Sequence, residues 1–167
     1  MLYQTHARVH LNNIRSNIEN IRKAVGPERK VLIAVKADGY GHGAVEVSRM
    51  AENIGVDWLG VATVPEGIEL RLAGIRLPIL KFSPAFPEEM EEAVKHDLAI
   101  AVIERENIAM LQKTAAAAGK ICEVHLKIET GMGRIGVAVD EAFQLAEQIV
   151  KHSPNLRLGG AMTHLPV

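Results

Sequence analysis

The sequence predicts an α/β protein built on a parallel sheet, and three observations carry that prediction. Short β-type runs alternate with helical patterns along the whole chain. The segments richest in chemistry fall just beyond strand carboxyl ends, where α/β barrels and open α/β sheets both place their active sites. Six strand starts occur, with an α/β unit between each pair. Six such units would make about three-quarters of an eight-stranded barrel of TIM type, which typically needs about 250 residues. An open doubly wound sheet would be complete at 167 residues. Periodicity alone leaves both architectures standing.

The elements follow in order. A helix is predicted over 12–25, with Ile14, Ile18, Ile21 and Val25 on one face and Gly26-Pro27 as its stop. The apolar run 31–35 is the first strand, and its helix spans 44–53. A second strand over 58–62 leads into a helix opened by Pro65 and Glu66 and closed near Gly74. The third strand is 78–82; Pro87, Glu88 and Glu89 then suit the positive end of a helix dipole. The fourth strand, 98–103, precedes a helix ending in the alanine run before Gly119. The fifth is 121–128. Its helix starts at Asp140, is expected to bury Phe143, Ala146 and Ile149 or Val150, and ends at Lys151-His152. A sixth strand covers 157–162.

Composition narrows the function classes. With 48% hydrophobic and 23% charged residues, the chain can fill one core. A net charge of -1 argues against nucleic acid, and 4% aromatics argues against base-stacking platforms. No run has the length of a signal-peptide core or a membrane span. The single cysteine, Cys122, reads as a buried structural thiol and fits a reducing, cytoplasmic setting. Cys122 and His125, three apart on a strand, point to opposite faces and make a poor metal pair, so no metal is expected. No nucleophile elbow starts a serine-histidine-acid triad.

Three segments carry chemistry. At 34–43, AVKADGYGHG places Lys36 at the end of a buried strand, beside Tyr40 and a glycine-rich turn. An amine must be partly neutral to condense with an aldehyde cofactor, and burial moves a lysine toward that state. The spacing does not meet the G-x-G-x-x-G dinucleotide fingerprint. At 125–137, HLKIETGMGRIGV carries Lys127 and Glu129 into a glycine loop that presents Arg134. Glycines let backbone N–H groups approach an anion, and arginine binds carboxylates or phenolates in a fork. Thr163-His164 closes the sixth strand.

Together these segments resemble the alanine racemases, pyridoxal-phosphate enzymes with an α/β barrel and a separate β-domain. Lys36-Ala37-Asp38-Gly39-Tyr40-Gly41-His42-Gly43 looks like their cofactor-lysine signature, 127–136 like the second, and Met162-Thr163-His164 like the third. The resemblance runs from the opening helix to the last strand, and it favours an incomplete (β/α) barrel over the open sheet. Residues 1–167 would then be the amino-terminal part of a cofactor-binding (β/α)8 barrel, without the carboxy-terminal β-domain.

The resemblance implies pyridoxal 5′-phosphate held by Lys36, which also serves as one of two acid–base groups at the Cα of alanine. Tyr40 would lie beside the cofactor, and Arg134 at its phenolic oxygen and near the substrate carboxylate. Met132 would offer its backbone N–H to that carboxylate. Lys127 matches a position that is often carbamylated, and a carbamate there could pair with Arg134 instead of repelling it. His164 would orient an arginine at the pyridine nitrogen. That arginine, and an opposing tyrosine from the second subunit of a homodimer, lie beyond residue 167 in the family. The implied parent activity is interconversion of L- and D-alanine for peptidoglycan, with this portion inactive alone. A broader amino-acid racemase, or a non-catalytic partial barrel that binds the cofactor or self-associates, are the alternatives. Lys81 in LKFSPAF and Pro166-Val167 depart from the family pattern and bear on substrate range.

Overall fold

A computed structural model describes residues 5–166. The elements are α1 (Leu11–Val25), β1 (Leu32–Ala34), α2 (Lys36–Gly41), α3 (Ala44–Asn53), β2 (Trp58–Val61), α4 (Val64–Leu72), β3 (Ile79–Lys81), α5 (Pro87–Lys95), β4 (Ala99–Val102), α6 (Arg105–Ala117), β5 (Cys122–Lys127), α7 (Val139–His152) and β6 (Leu156–Met162). Local chemistry starts the helices. Thr63 and Glu66 cap each other's backbone at α4, with a proline in its first positions. At α5 the Glu89 carboxylate accepts the Phe86 N–H at 3.1 Å.

The six strands form one parallel sheet whose spatial order is their sequence order, β1 to β6. A doubly wound sheet requires a reversal of strand order. None occurs among the described residues. Crossovers of one hand then place the helices on one face, which is how a (β/α) barrel is built. Leu59, Ile79, Ile100 and Val124 alternate toward the helices and are at most 1% exposed. Their strand neighbours face the barrel interior.

Two expectations about helix faces are corrected. On α1 the inward seam is the buried Ile18 with the half-buried Leu11 and Ile14; Ile21 and Val25 are exposed. On α7, Phe143 is 77% exposed, and the buried residues are Ala142, Leu145 and Ile149. Two apolar stripes run along α7 side by side, and a 3.6-residue period fits either. Docking on β5 and β6 buries one; Val139, Phe143 and Val150 stay on the flank.

Lys81, unusual in a strand, projects to the helix side, 3% exposed. Its amine donates to the Pro84 carbonyl at 2.7 Å and the Ser83 hydroxyl at 3.0 Å, closing the loop after β3. Cys122 also faces the helices, and burial pushes its thiol up to about 12, with the Glu123 and Asp97 charges adding to the effect.

Candidate active site

Lys36 leaves the carboxyl end of β1 half-buried. The chain then winds left-handed through Ala37, Asp38, Gly39 and Tyr40, at φ 51°, 53°, 61° and 54°. Left-handed helical backbone costs an L-residue roughly 1–2 kcal/mol, and only Gly39 escapes that cost. Hydrogen bonds hold the turn: Gly39 N–H donates to the Val35 carbonyl at 2.8 Å, and Gly43 N–H to the Asp38 carbonyl at 2.9 Å. The Asp38 carboxylate accepts the Ala44 N–H at 2.8 Å, capping α3. Glu66 accepts the Ala37 N–H at 2.8 Å. Tyr40 is thereby turned back, and the Lys36 Nζ lies 5.8 Å from its ring centre.

Lys36, Tyr40, Lys127, Arg134 and His164 all line one cavity of about 850 Å³ on the interior face of the sheet. Lys36, Lys127 and Arg134 line its end at the strand carboxyl termini without a carboxylate beside them in the wall, and Lys30, Arg157 and Glu123 line the other end. The three cations at the carboxyl termini suit an anionic, phosphorylated ligand, and Lys36 brings a primary amine, the group an aldehyde condenses with, to the same wall. Pyridoxal phosphate fits both requirements.

Lys127 is 6% exposed and donates to the Phe82 carbonyl at 3.0 Å. Burial first, then the Arg134 and Lys36 cations, push its amine below the usual lysine range, with Glu129 opposing. The loop after β5 wraps around Glu129, whose carboxylate accepts the Gly131 N–H at 2.6 Å and the Arg134 N–H at 3.1 Å. The amides of Gly133, Arg134, Gly131 and Met132 hold that carboxyl below its ordinary range, Gly133 contributing most and desolvation opposing. The glycine loop thus cradles an anion of its own chain. Met132 is not part of the cavity wall, and its amide faces Glu129.

Deeper in the cavity, His125 Nε2 pairs with a Glu123 oxygen at 3.2 Å, and Arg157 bonds the other oxygen. The Trp58 ring meets His125 edge-on, centroids 5.2 Å apart. The β5–β6 register shifts between Val124 and His125. A Cβ on Gly159 would lie 2.1 Å from a Glu123 oxygen, so the glycine makes room for this group. At the rim, the Thr130 and Thr163 hydroxyls bond each other and tie the glycine loop to the end of β6.

Glu123 is a site residue with no place among the sequence-based expectations; Glu66 is expected there only as a helix opener and Glu129 only as part of the segment leading into the glycine loop. Glu123, His125 and Lys127 alternate with apolar Cys122, Val124 and Leu126, and that period of two marks one polar strand face. Thr63-x-x-Glu66 carries a capping-box signature. Neither pattern reports which distant residue the second oxygen of Glu66 reaches.

Sequentially ordered parallel strands, with Lys36, Lys127 and Arg134 gathered on the interior cavity toward their carboxyl ends, define a (β/α)-barrel enzyme domain. Residues 9–167 match the family model described as "Alanine racemase, N-terminal domain". The chain belongs to the alanine racemase family. It is 43% identical over 164 residues to an alanine racemase of Cutibacterium acnes, covering 98% of this chain and 43% of that protein. An alanine racemase of Treponema denticola is 45% identical over 163 residues, at 98% and 43% coverage. Among solved structures, alanine racemase of Clostridium difficile 630 in complex with cycloserine superposes with a TM-score of 0.94 and 36% identity, covering 100% of this chain and 46% of that one. The Bacillus anthracis enzyme with bound L-Ala-P gives 0.84 and 30%, at 94% and 40% coverage. The chain therefore spans somewhat under half the length of these relatives. Among the described residues, no helix is long and apolar enough to cross a membrane.

Proposed function

We propose that this chain is the part of an alanine racemase that carries pyridoxal 5′-phosphate on Lys36, and that the whole protein interconverts L- and D-alanine for peptidoglycan in the cytoplasm. The observation that carries this reading is Lys36 beside Tyr40 on a cationic cavity shared with Lys127, Arg134 and His164. When bound, pyridoxal phosphate supplies an electron sink for negative charge at the substrate Cα. Lys36 would anchor it and move the proton on its own face of Cα. Tyr40 would flank it, and Arg134 would meet its phenolic oxygen and the substrate carboxylate. His164 would orient the group facing the pyridine nitrogen. Met132 would serve the substrate carboxylate only after Glu129 releases its amide.

Exchange of configuration also needs a proton donor on the opposite face of Cα. Lys36 serves one face in this reading, so the other needs a second group. The resemblance assigns it to a tyrosine of a second subunit, hence a homodimer in the whole enzyme. Incubation of this chain with pyridoxal phosphate and borohydride is expected to leave one label, on Lys36 by peptide mapping. Chiral analysis should find little interconversion of alanine by the chain alone. Labels spread over Lys30 and Lys127 as well would overturn the reading. A second reading, self-association of a partial barrel, is favoured by the sheet edges at β1 and β6 and the exposed Val139, Phe143 and Val150. Substrate range beyond alanine would be set at Phe82, which lines the cavity, since Lys81 points away from it.

Lys127 is proposed to carry a carbamate. Its neutral nitrogen forms a bond to carbon dioxide, one amine proton goes to solvent, and one N–H remains for the Phe82 carbonyl. The resulting anion would pair with Arg134. Because the amine is depressed, its neutral form persists to lower pH than in an ordinary lysine. With ¹³C-labelled bicarbonate, a carbamate carbon signal is expected that fades as pH falls and disappears in Lys127→Met. Arg134→Ala should shift the profile to higher pH, because it removes both a depressing cation and the carbamate's partner. A signal unchanged in Lys127→Met would refute the assignment.

A further inference from the structure

We infer that Glu66 is a positioning residue for Lys36, clamping the residue after the lysine to the junction of β2 and α4. The inference rests on the proposed role of Lys36. A glutamate at the third position of a helix ordinarily uses its carboxylate to cap the start of its own helix. One oxygen of Glu66 does this twice over, accepting Ala62 N–H at 2.7 Å and Thr63 N–H at 3.1 Å. The other oxygen reaches 29 residues back, to Ala37 N–H at 2.8 Å.

That amide is the one that matters to Lys36. The Lys36 carbonyl and the Ala37 N–H lie in one rigid peptide plane, so anchoring the N–H fixes the backbone angle that aims the lysine's Cα. On the other side, Val35 N–H donates to the Gly60 carbonyl at 2.8 Å. Lys36 is therefore held from both sides by the β2–α4 region. Ala37 is also the first left-handed residue of the turn and is exposed, so no burial holds it there. A carboxylate already fixed by two amides of the adjoining element is a rigid anchor for it.

The test uses the chain with pyridoxal phosphate, and without it. Glu66→Gln keeps one acceptor oxygen and turns an NH₂ toward amides that need an acceptor. It should weaken attachment at Lys36 about tenfold or more, the scale of losing a hydrogen bond to a charged group. Thr63→Ala opens the same capping box from its other side and leaves the Ala37 contact alone, so its attachment constant should match the wild type. Amide hydrogen exchange gives a readout free of the cofactor. The exposed Ala37 amide should be protected in the wild type and unprotected in Glu66→Gln.

Equal attachment in Glu66→Gln and wild type would overturn the inference. So would equal weakening by Thr63→Ala, which would reduce the effect to helix stability. An unprotected Ala37 amide in the wild type refutes the clamp even where Glu66→Gln does not fold. Protection at Ala37 with no attachment at Lys36 would instead leave the clamp standing and sink the proposed function.

Discussion

Lys36→Ala is expected to abolish borohydride-fixed attachment of pyridoxal phosphate while leaving the fold intact. Lys36 lies at the end of β1, outside the apolar cluster between strands and helices, so losing its stem removes little core packing. Two other lysines line the cavity, and they make the prediction discriminating. Lys127 is 6% exposed, and the carbamate proposed for it would occupy the nitrogen that an aldehyde would need. Lys30 stands before β1, at the other end of the sheet from Lys36. Neither should substitute. Peptide mapping after reduction checks this: labelling of Lys36→Ala at the wild-type level would remove the basis for the cofactor assignment. Far-UV circular dichroism and the melting temperature should stay near wild type.

The second large effect is expected from Gly136→Ala. After the loop that carries Arg134, the chain folds back on the end of β5, where Glu129 N–H donates to the Val137 carbonyl and Val137 N–H to the Lys127 carbonyl, each at 2.8 Å. A Cβ on Gly136 would stand 2.5 Å from the Glu129 nitrogen and 2.8 Å from the Ile128 carbonyl carbon. Those are backbone atoms of a strand end and cannot swing aside as a side-chain tip can. The substitution should break the return pairing, with a stability loss at or above the ~1–3 kcal/mol usual for overpacking. The Glu129 nest and Arg134 move with it. Thermal melting should show the loss, and attachment at Lys36 should weaken beyond what the change in stability explains. A melting temperature and attachment constant both unchanged would show that the loop adapts freely.

Much of this organisation was legible in the residues. The strand at 58–62 appears as Trp58–Val61 and the helix at 44–53 as Ala44–Asn53, because both rest on local patterns, with Gly43 before the helix and Gly55 between the two. The turn after Lys36 was expected to be shaped by its glycines, and residues 39, 41 and 43 do take positive φ. Its left-handed course through Ala37, Asp38 and Tyr40 was not legible. It depends on a carboxylate from Glu66, whose partner is decided by how β1 and β2 align. Phe143 shows the same limit from the side of packing. Its stripe and that of Leu145 are both apolar, and only docking against β5 and β6 chooses between them.

The sequence by itself determined the alternation of elements, the membership of the family and the residues that crowd the strand ends, because period, punctuation and motif are properties of neighbours along the chain. Periodicity left strand order open and the family resemblance implied the barrel; the sequential order of the six strands is what the tertiary structure supplies. It also supplies the reach of Glu66 to Ala37, the pairing of Glu123 with Arg157, and the electrostatic environment that depresses Lys127. Each of these joins residues far apart in the chain. Such contacts follow from register and burial, which local pattern does not carry.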